Sequence, residues 1–408
     1  MTHAAAIPPR PMIRIFQYKL YPNQAQIKTL ERWLRTCCWL HNQALEMRIK
    51  AYRRRGESVS LYTQTAWLTD LRGRIASLRS VPVDFERDAL RRVDRGMKAF
   101  FRRFKAGNHP GFPRFKSASR WNSMECLDSS STYLKGDRIR VPNFGTIRCR
   151  GRLLPEGLQK GICVIKRATG WYAQIILDDG KQPPLPDKRH VESAIGIDVG
   201  LASFATLSDG EQIENPRYLA RSSSSVRALQ RRVSRRKKGS NRRRKAINAL
   251  ARKHEQVADQ RRNFAHQHST ALVRKYDLIA VENLNVAGMV RSRFGKSIHD
   301  AGWSIFLSQL RSKAECAGSQ LVEVDARYTS QECPNCGAVK PKKLSERTHS
   351  CACGLTCHRD HAAAQVILAR ALAVTGAIRP SMDLAADSAL VAQNQASQMK
   401  REGRLATR

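Results

Sequence analysis

A multidomain α+β chain is predicted, with a β-rich first part interrupted by helices and a second part built on a mixed α/β sheet. Three observations carry this. The 408 residues exceed the roughly 100–200 of a single domain. Strand-like and helical apolar periods alternate in two separate blocks. Between the blocks lies KQPPLPDK (residues 181–188), a proline-rich stretch of linker composition.

The elements follow in order. IRIFQYKL (13–20) is rich in β-branched and aromatic residues and predicts a strand, ended by Pro22 and Asn23. Ile27, Leu30, Leu34, Cys38, Leu45 and Ile49 then recur at helical spacing. Asn23 and Gln26 make a reciprocal N-terminal cap for that helix, and Gly56 stops it. Residues 61–104 repeat the helical pattern and carry Arg87, Arg91, Arg92, Arg95, Arg102 and Arg103. With only Asp84, Glu86, Asp88 and Asp94 available to pair with these arginines, this face is expected to meet phosphate rather than merely solvent. GNHPGFPRFK (107–116) reads as a turn-rich connector. Strand-like patches follow, clearest in ICVIKRATGWYAQIILDD, a hairpin turning at 168–170. The first strand is expected to join this region in a barrel-like sheet with the helices inserted.

The second block opens with AIGIDVGLASFATLSDGEQI, a hairpin ending at Asp209-Gly210. Residues 221–254 hold 14 Lys or Arg and no acid, with Val226, Leu229, Val233, Ile247, Leu250 and Val257 at helical spacing. This predicts two helices joined at 237–241. Like charges so dense weaken a free helix, so the segment, with Arg235, Arg236, Lys237 and Lys238, is expected along a phosphate backbone. A disordered basic arm is the alternative. YDLIAVENL (276–284) is a strand ending in an acid, SQLVEVDARYTS (319–330) is another, and 303–317 is a helix between them. Residues 375–408 become Ala-, Ser- and Gln-rich without period and predict a disordered tail.

Charge narrows the function. Lys and Arg total 73 against 34 acids, a formal +39, which makes nucleic acid the default partner. A basic membrane-surface protein has a similar imbalance, but no stretch approaches the roughly 20 apolar residues of a spanning helix. MTHAAAIPPRPM lacks the apolar core of a signal peptide, so a cytoplasmic, nucleoid-associated protein is expected. Of the 11 cysteines, Cys37, Cys38, Cys126, Cys149, Cys163 and Cys316 are scattered and read as packing thiols. The other five cluster between Cys333 and Cys357.

Two constellations carry chemistry. Asp198 in GIDVG, Glu282 in AVENL and Asp360 in HRDHAAA each border an apolar element. Phosphodiester cleavage needs divalent ions, two of them about 3.5–4 Å apart, to activate water and stabilise the leaving oxygen. Such hard cations take carboxylate oxygens. Asp198 and Glu282 meet only if two strand ends lie side by side, as in an RNase H-like sheet, with Asp360 at the start of a helix whose alanines permit close packing. The second constellation is a C-x-x-C pair, Cys333 and Cys336, with a C-x-C pair, Cys351 and Cys353. Four thiolates around one Zn²⁺ would replace the core this polar segment lacks. Cys357 or His349 is a possible substitute ligand.

GIDVG, SRRKKGS, LIAVENL, DARYTSQECPNCG and CGLTCHRDHAAA, preceded by YPNQAQ and LRRVDRGMKAFFRRFKAGNHPGFPRFK, occur in the order found in TnpB proteins. These are the RNA-guided nucleases carried by insertion-sequence transposons. The chain resembles them over about residues 12–372, and small type V CRISPR effectors are similar in architecture. The resemblance implies a wedge-type β-barrel (1–22 and 121–185) holding a helical recognition insert (23–120). A RuvC-like nuclease (190–330 and 355–374) follows, interrupted by a zinc ribbon that binds the target strand (331–354). It implies Asp198, Glu282 and Asp360 as catalytic acids holding two Mg²⁺, one Zn²⁺ on the cysteines, a guide RNA, and a double-stranded DNA target. Tyr62, Thr65, Arg87 and Arg91 fall where the recognition helices read a short duplex motif. Two positions depart from the family pattern: His358 replaces an acid, as a spare base or an outward-facing residue, and Ala362 replaces an asparagine, which would loosen the turn holding Asp360. The expected function is RNA-guided DNA cleavage by a monomer or dimer. A CRISPR effector of the same architecture, an RNA-guided repressor that does not cut efficiently, and a guide-free strand-transfer transposase are the alternatives.

Overall fold

The structure, a computed structural model, describes residues 12–128, 131–184, 191–343 and 345–376. The chain divides into two compact units, Met1–Gln182 and Pro183–Arg408. The division falls inside the proline-rich stretch, whose last residues, 185–188, lie outside the described ones.

In the first unit, strand β1 (Ile13–Tyr21) leads into helix α1 (Gln24–Arg55). The expected cap forms: the Gln26 N–H donates to Asn23 Oδ1 at 2.8 Å, and the Asn23 N–H donates to Gln26 Oε1 at 3.0 Å. Gly56, at φ +65°, ends the helix in the left-handed conformation that glycine tolerates. Residues 61–104 form three helices rather than a continuous run: α2 (Leu61–Arg74), α3 (Ala76–Arg79) and α4 (Val83–Lys105). Ile75 is extended, and Pro82, lacking an N–H, sits at the entry to α4. Leu30, Trp33, Phe85 and Leu90 are fully or almost fully buried where these helices meet.

The arginine face of α4 is partly a structural feature, which corrects the expectation of a free phosphate surface. Arg92 and Arg95 pair with the fully buried Asp88 at 2.8 and 3.2 Å. Arg48 and Lys98 pair with Asp94 at 3.1 and 2.9 Å, and Arg72 pairs with buried Glu86. An unpartnered buried charge is costly, so these cations are engaged by the acids of α4, three of them from α4 itself and Arg48 and Arg72 from α1 and α2.

The strands of this unit are β2 (Ser123–Cys126), β3 (Leu134–Lys135), β4 (Arg138–Val141), β5 (Gly145–Arg150), β6 (Leu158–Arg167) and β7 (Gly170–Asp178). With β1 they make a seven-stranded antiparallel sheet in the order β2-β6-β7-β1-β5-β4-β3, so the first strand does join the later region. Backbone pairing does not close it into a barrel, because β2 and β3 remain edges among the described residues. Gln159 of β6 spans part of the gap by accepting N–H groups of Tyr133 and Leu134 at 2.8 and 3.0 Å.

The second unit begins with β8 (Ala194–Val199), β9 (Ser203–Leu207) and β10 (Gln212–Glu214). Helices α5 (Tyr218–Arg221), α6 (Ser223–Ser234) and α7 (Asn241–Lys275) follow, then β11 (Leu278–Glu282). Next come α8 (Val286–Met289), α9 (Gly295–Ala301), α10 (Trp303–Ala317) and β12 (Gln320–Val324). A small hairpin, β13 (Thr348–Ser350) and β14 (Thr356–His358), precedes α11 (Arg359–Thr375). The main sheet has the order β10-β9-β8-β11-β12, with β8, β11 and β12 parallel. Ile195, Ile197, Ile279 and Val281 pack on one face with Leu272 and Phe306. Leu278 and Ala280 pack on the other with Ile367, Leu368 and Ala371 of α11. Gly196 lets α11 lie directly on β8, since a Cβ there would fall 2.0 Å from the carbonyl oxygen of Ala364. Thr375, expected in the tail, closes α11, and residues 377–408 lie outside the described ones.

Candidate active site and cysteine cluster

The parallel pairing of β8 with β11 joins residues 84 positions apart, Ala194 with Leu278 through Ile197 with Val281. Asp198 and Glu282 are the next residues on each strand, so they stand side by side. Side chains alternate along a strand. Asp198 and Glu282 therefore share the face of Gly196 and Ala280, the one covered by α11, and α11 begins at that end with Asp360 in its first turn.

The electrostatics link the three acids. Burial, then Glu282, then Asp360 push the Asp198 carboxyl well above its ordinary range, against the pull of Arg359. Burial also raises Glu282, opposed by the Thr329 hydroxyl, which donates to Glu282 Oε1 at 2.5 Å, and by Arg370. Arg359 Nε donates to Asp360 Oδ1 at 3.2 Å, and Arg347 stands 3.9 Å from the other oxygen. Half-buried carboxylates, two of which raise the proton affinity of Asp198, make an all-oxygen donor set that fits hard divalent cations.

His358 caps α11: its Nδ1 accepts the Asp360 N–H at 3.3 Å, a role different from the outward-facing residue expected. Ala362 is buried, and the start of the helix is held by that cap and by the Arg359 N–H donating to the Arg347 carbonyl at 2.7 Å. Sequence reasoning missed Thr329 and Arg370. Arg370 donates to the carbonyls of Asp325 and Arg327 at 2.7 and 2.8 Å and to Glu332 at 2.5 Å, clamping the loop that carries Thr329.

The sulfurs of Cys333, Cys336, Cys351 and Cys353 all lie within 4.8 Å of one another. Among the described residues this is the only such group of three or more ligand side chains, so the carboxylates line a wider site. Cys333 and Cys353 are 3.7 Å apart and Cys336 and Cys351 3.4 Å, close to the edge of about 3.8 Å that four thiolates at about 2.3 Å from zinc would make. The N–H of Leu355 and the amide of Asn335 push the Cys353 thiol down to about 6. The Ala338 N–H pulls Cys336 down, but neighbouring thiols, led by Cys351, hold it up at about 12. This donor set fits a structural zinc ion. Cys357 and His349 pair across β13 and β14 outside the group, so neither replaces a ligand.

Comparison with known proteins decides the family. Family models match at residues 177–293 (probable transposase), 303–367 (Cas12f1-like, TNB domain) and 12–57 (helix-turn-helix domain). The last stretch folds here as β1 and the single long helix α1. A "Putative RNA-guided DNA endonuclease" of Streptomyces pristinaespiralis is 32% identical over 91% of this chain and 93% of its own. The chain belongs to the TnpB family. A second relative, "Putative RNA-guided DNA endonuclease InsQ" of Escherichia coli K12, is 28% identical over 89% and 93%. The CRISPR-associated endodeoxyribonuclease Cas12f1 of Sulfoacidibacillus thermotolerans is 26% identical over 49% and 50%.

In this TnpB-family chain the expected nucleic-acid residues divide. Arg235, Arg236, Lys237 and Lys238 are exposed between α6 and α7, and Arg235 and Arg236 line an open cavity of about 540 Å³ with Arg231 and Arg232. Tyr62 is 85% exposed. Thr65 spends its hydroxyl on the Leu61 carbonyl at 2.9 Å, and Arg87 pairs with Asp84 at 3.3 Å. Arg91 is half-buried, with two guanidinium nitrogens that are buried and have no hydrogen-bond partner among the described residues. Among the described residues no helix is long and apolar enough to cross a membrane.

Proposed function

We propose that the chain is an RNA-guided DNA endonuclease whose cutting site is formed by Asp198, Glu282 and Asp360. The observation that carries this is the register of β8 and β11, which aligns the first two acids on the face where α11 brings the third. The five-stranded order, with parallel strands at its centre, supports an RNase H-like nuclease domain, and the seven-stranded sheet with its helices supports a wedge and recognition lobe. The relatives' names support RNA guidance and DNA as substrate. The +39 charge supports polyanionic partners, read as a guide RNA and a duplex DNA. A cytoplasmic, nucleoid-associated protein suits that substrate. The CRISPR setting is left to the more distant relative, which matches about half of the chain.

The three carboxylates would hold two Mg²⁺. Bound there, such ions activate water and neutralise charge on the leaving oxygen. The protein's part is positioning. Thr329 fixes the rotamer of Glu282, Arg370 fixes the loop holding Thr329, and the His358 cap fixes the turn presenting Asp360. Partial burial lowers the local dielectric, which strengthens each electrostatic contact. The four cysteines would hold one structural Zn²⁺ just before α11, anchoring the segment beside the acids.

The test is Asp198→Ala in full chain loaded with its copurifying RNA. Cleavage of matched duplex DNA in Mg²⁺ is expected to vanish while RNA affinity stays within about twofold. Cutting by this variant at the wild-type rate rejects the site.

A further inference from the structure

Helix α4 buries no residue beyond Asp94, yet its last turns carry Phe100, Phe101 and Phe104. The connector after it folds back alongside. Pro113 lies 3.9 Å from where a Cβ on Gly96 would stand, and Phe112 meets Phe100 edge-on with centroids 5.3 Å apart. Phe100 also packs nearly parallel to Phe104 at 6.3 Å and edge-on to Phe101 at 5.2 Å. The connector's end is pinned to α1, because the Lys116 N–H donates to Asn42 Oδ1 and Asn42 Nδ2 donates to the Lys116 carbonyl, both at 2.8 Å.

The result is an aromatic surface outside the core. Phe101, Phe104 and Phe112 are 50, 63 and 44% exposed, and none belongs to the buried cluster of this unit. Residues 95–116 hold seven Lys or Arg and no acid. Arg102, Lys105 and Arg114 are exposed, with no ion pair among the described residues. Exposed aromatic rings clustered on a monomer mark a binding surface. An apolar protein partner would leave these cations uncompensated, and an acidic peptide offers no flat face for the rings. A nucleic-acid strand with unpaired bases offers both, base faces for the rings and phosphates for the cations. Duplex DNA arrives with its bases paired, whereas folded RNA presents splayed bases that stack on aromatic side chains.

We propose that Phe101, Phe104 and Phe112 form a stacking platform for unpaired bases of the RNA that this chain carries, with Arg102, Lys105 and Arg114 holding the adjacent phosphates. This rests on the RNA-guided reading and adds to it a site for unpaired nucleotides.

The experiment measures binding of full-length protein to fluorescent oligouridylate of about 12 nucleotides, to the matching deoxyoligomer, and to an RNA duplex of about the same length. The double variant F101A/F104A is expected to lose about tenfold in affinity for the single-stranded RNA. Its duplex affinity should change by less than about twofold, and its salt slope should be unchanged because no charge was removed. F101W/F104W should restore binding, and F101L/F104L should not, because leucine keeps apolar area but cannot stack. Unchanged single-strand affinity, equal loss on the duplex, or rescue by leucine overturns the platform. A larger loss on the deoxyoligomer overturns its assignment to RNA, and a wild-type dimer that F101A/F104A makes monomeric overturns it in favour of self-association. Failure of the wild type to bind any RNA instead rejects the RNA-guided reading itself.

Discussion

At the scale of single residues, the acids were legible because each stands beside an apolar run whose end a strand register can align. Thr329 and Arg370 were not, since nothing in DARYTSQ states which hydroxyl meets Glu282 or that Arg370, three turns along α11, clamps that loop. Thr329→Val keeps the shape and removes the donor. A 10–100-fold loss in apparent Mg²⁺ affinity for cleavage is expected, the usual cost of losing a hydrogen bond to a metal ligand, read from metal titrations of cleavage rate. An unchanged metal dependence would separate Thr329 from the site. Glu86 gives a pH prediction. Burial pushes its carboxyl up to about 7 from 4.5, against the pull of Arg72. The folded chain therefore holds a proton that the unfolded chain has released between those values. The stability contribution is full below about pH 4.5 and is lost as pH rises to about 7. Glu86→Gln stays neutral while Arg72 keeps the carbonyls of Leu78 and Val81 at 3.2 and 3.1 Å. The difference between wild-type and variant melting temperatures should then shift in the variant's favour across that window, and a pH-independent difference contradicts it.

At the scale of elements, apolar periodicity located β1, α1, α7, α10 and β11, whose interiors follow a simple pattern. It missed the breaks at Ile75 and Pro82, because the apolar residues on either side stay in helical phase while the backbone leaves the helix. It also misread the arginines of α4. Charge counts along a sequence do not reveal that Asp88 is buried where two arginines reach it. The cysteine segment was legible from spacing, because four sulfurs need only two short turns to meet. Its metal is checked by measuring zinc in purified protein. About one ion per chain is expected, and Cys336→Ser or a strong chelator should remove it and expose the segment around β13 and β14 to protease. A chain purified without zinc, with that segment still protease-resistant, contradicts the assignment.

At the scale of the whole molecule, two units were legible from the proline-rich stretch, and a polyanionic partner from the +39 charge. The closure of the first sheet was not, since edge pairing depends on the turns between short strands such as β3. If the basic surfaces engage at least six phosphates, RNA affinity should fall by about 1,000-fold or more between about 50 and 200 mM salt, and a flat response contradicts that binding mode. The central claim is that Asp198, Glu282 and Asp360 act as a single metal-holding unit. Cleavage of matched duplex DNA in Mg²⁺ by the three single alanine variants and the triple variant tests it most directly. Groups that act together are non-additive, so each single variant should fall to the same floor as the triple. One single variant cutting at the wild-type rate would contradict the account.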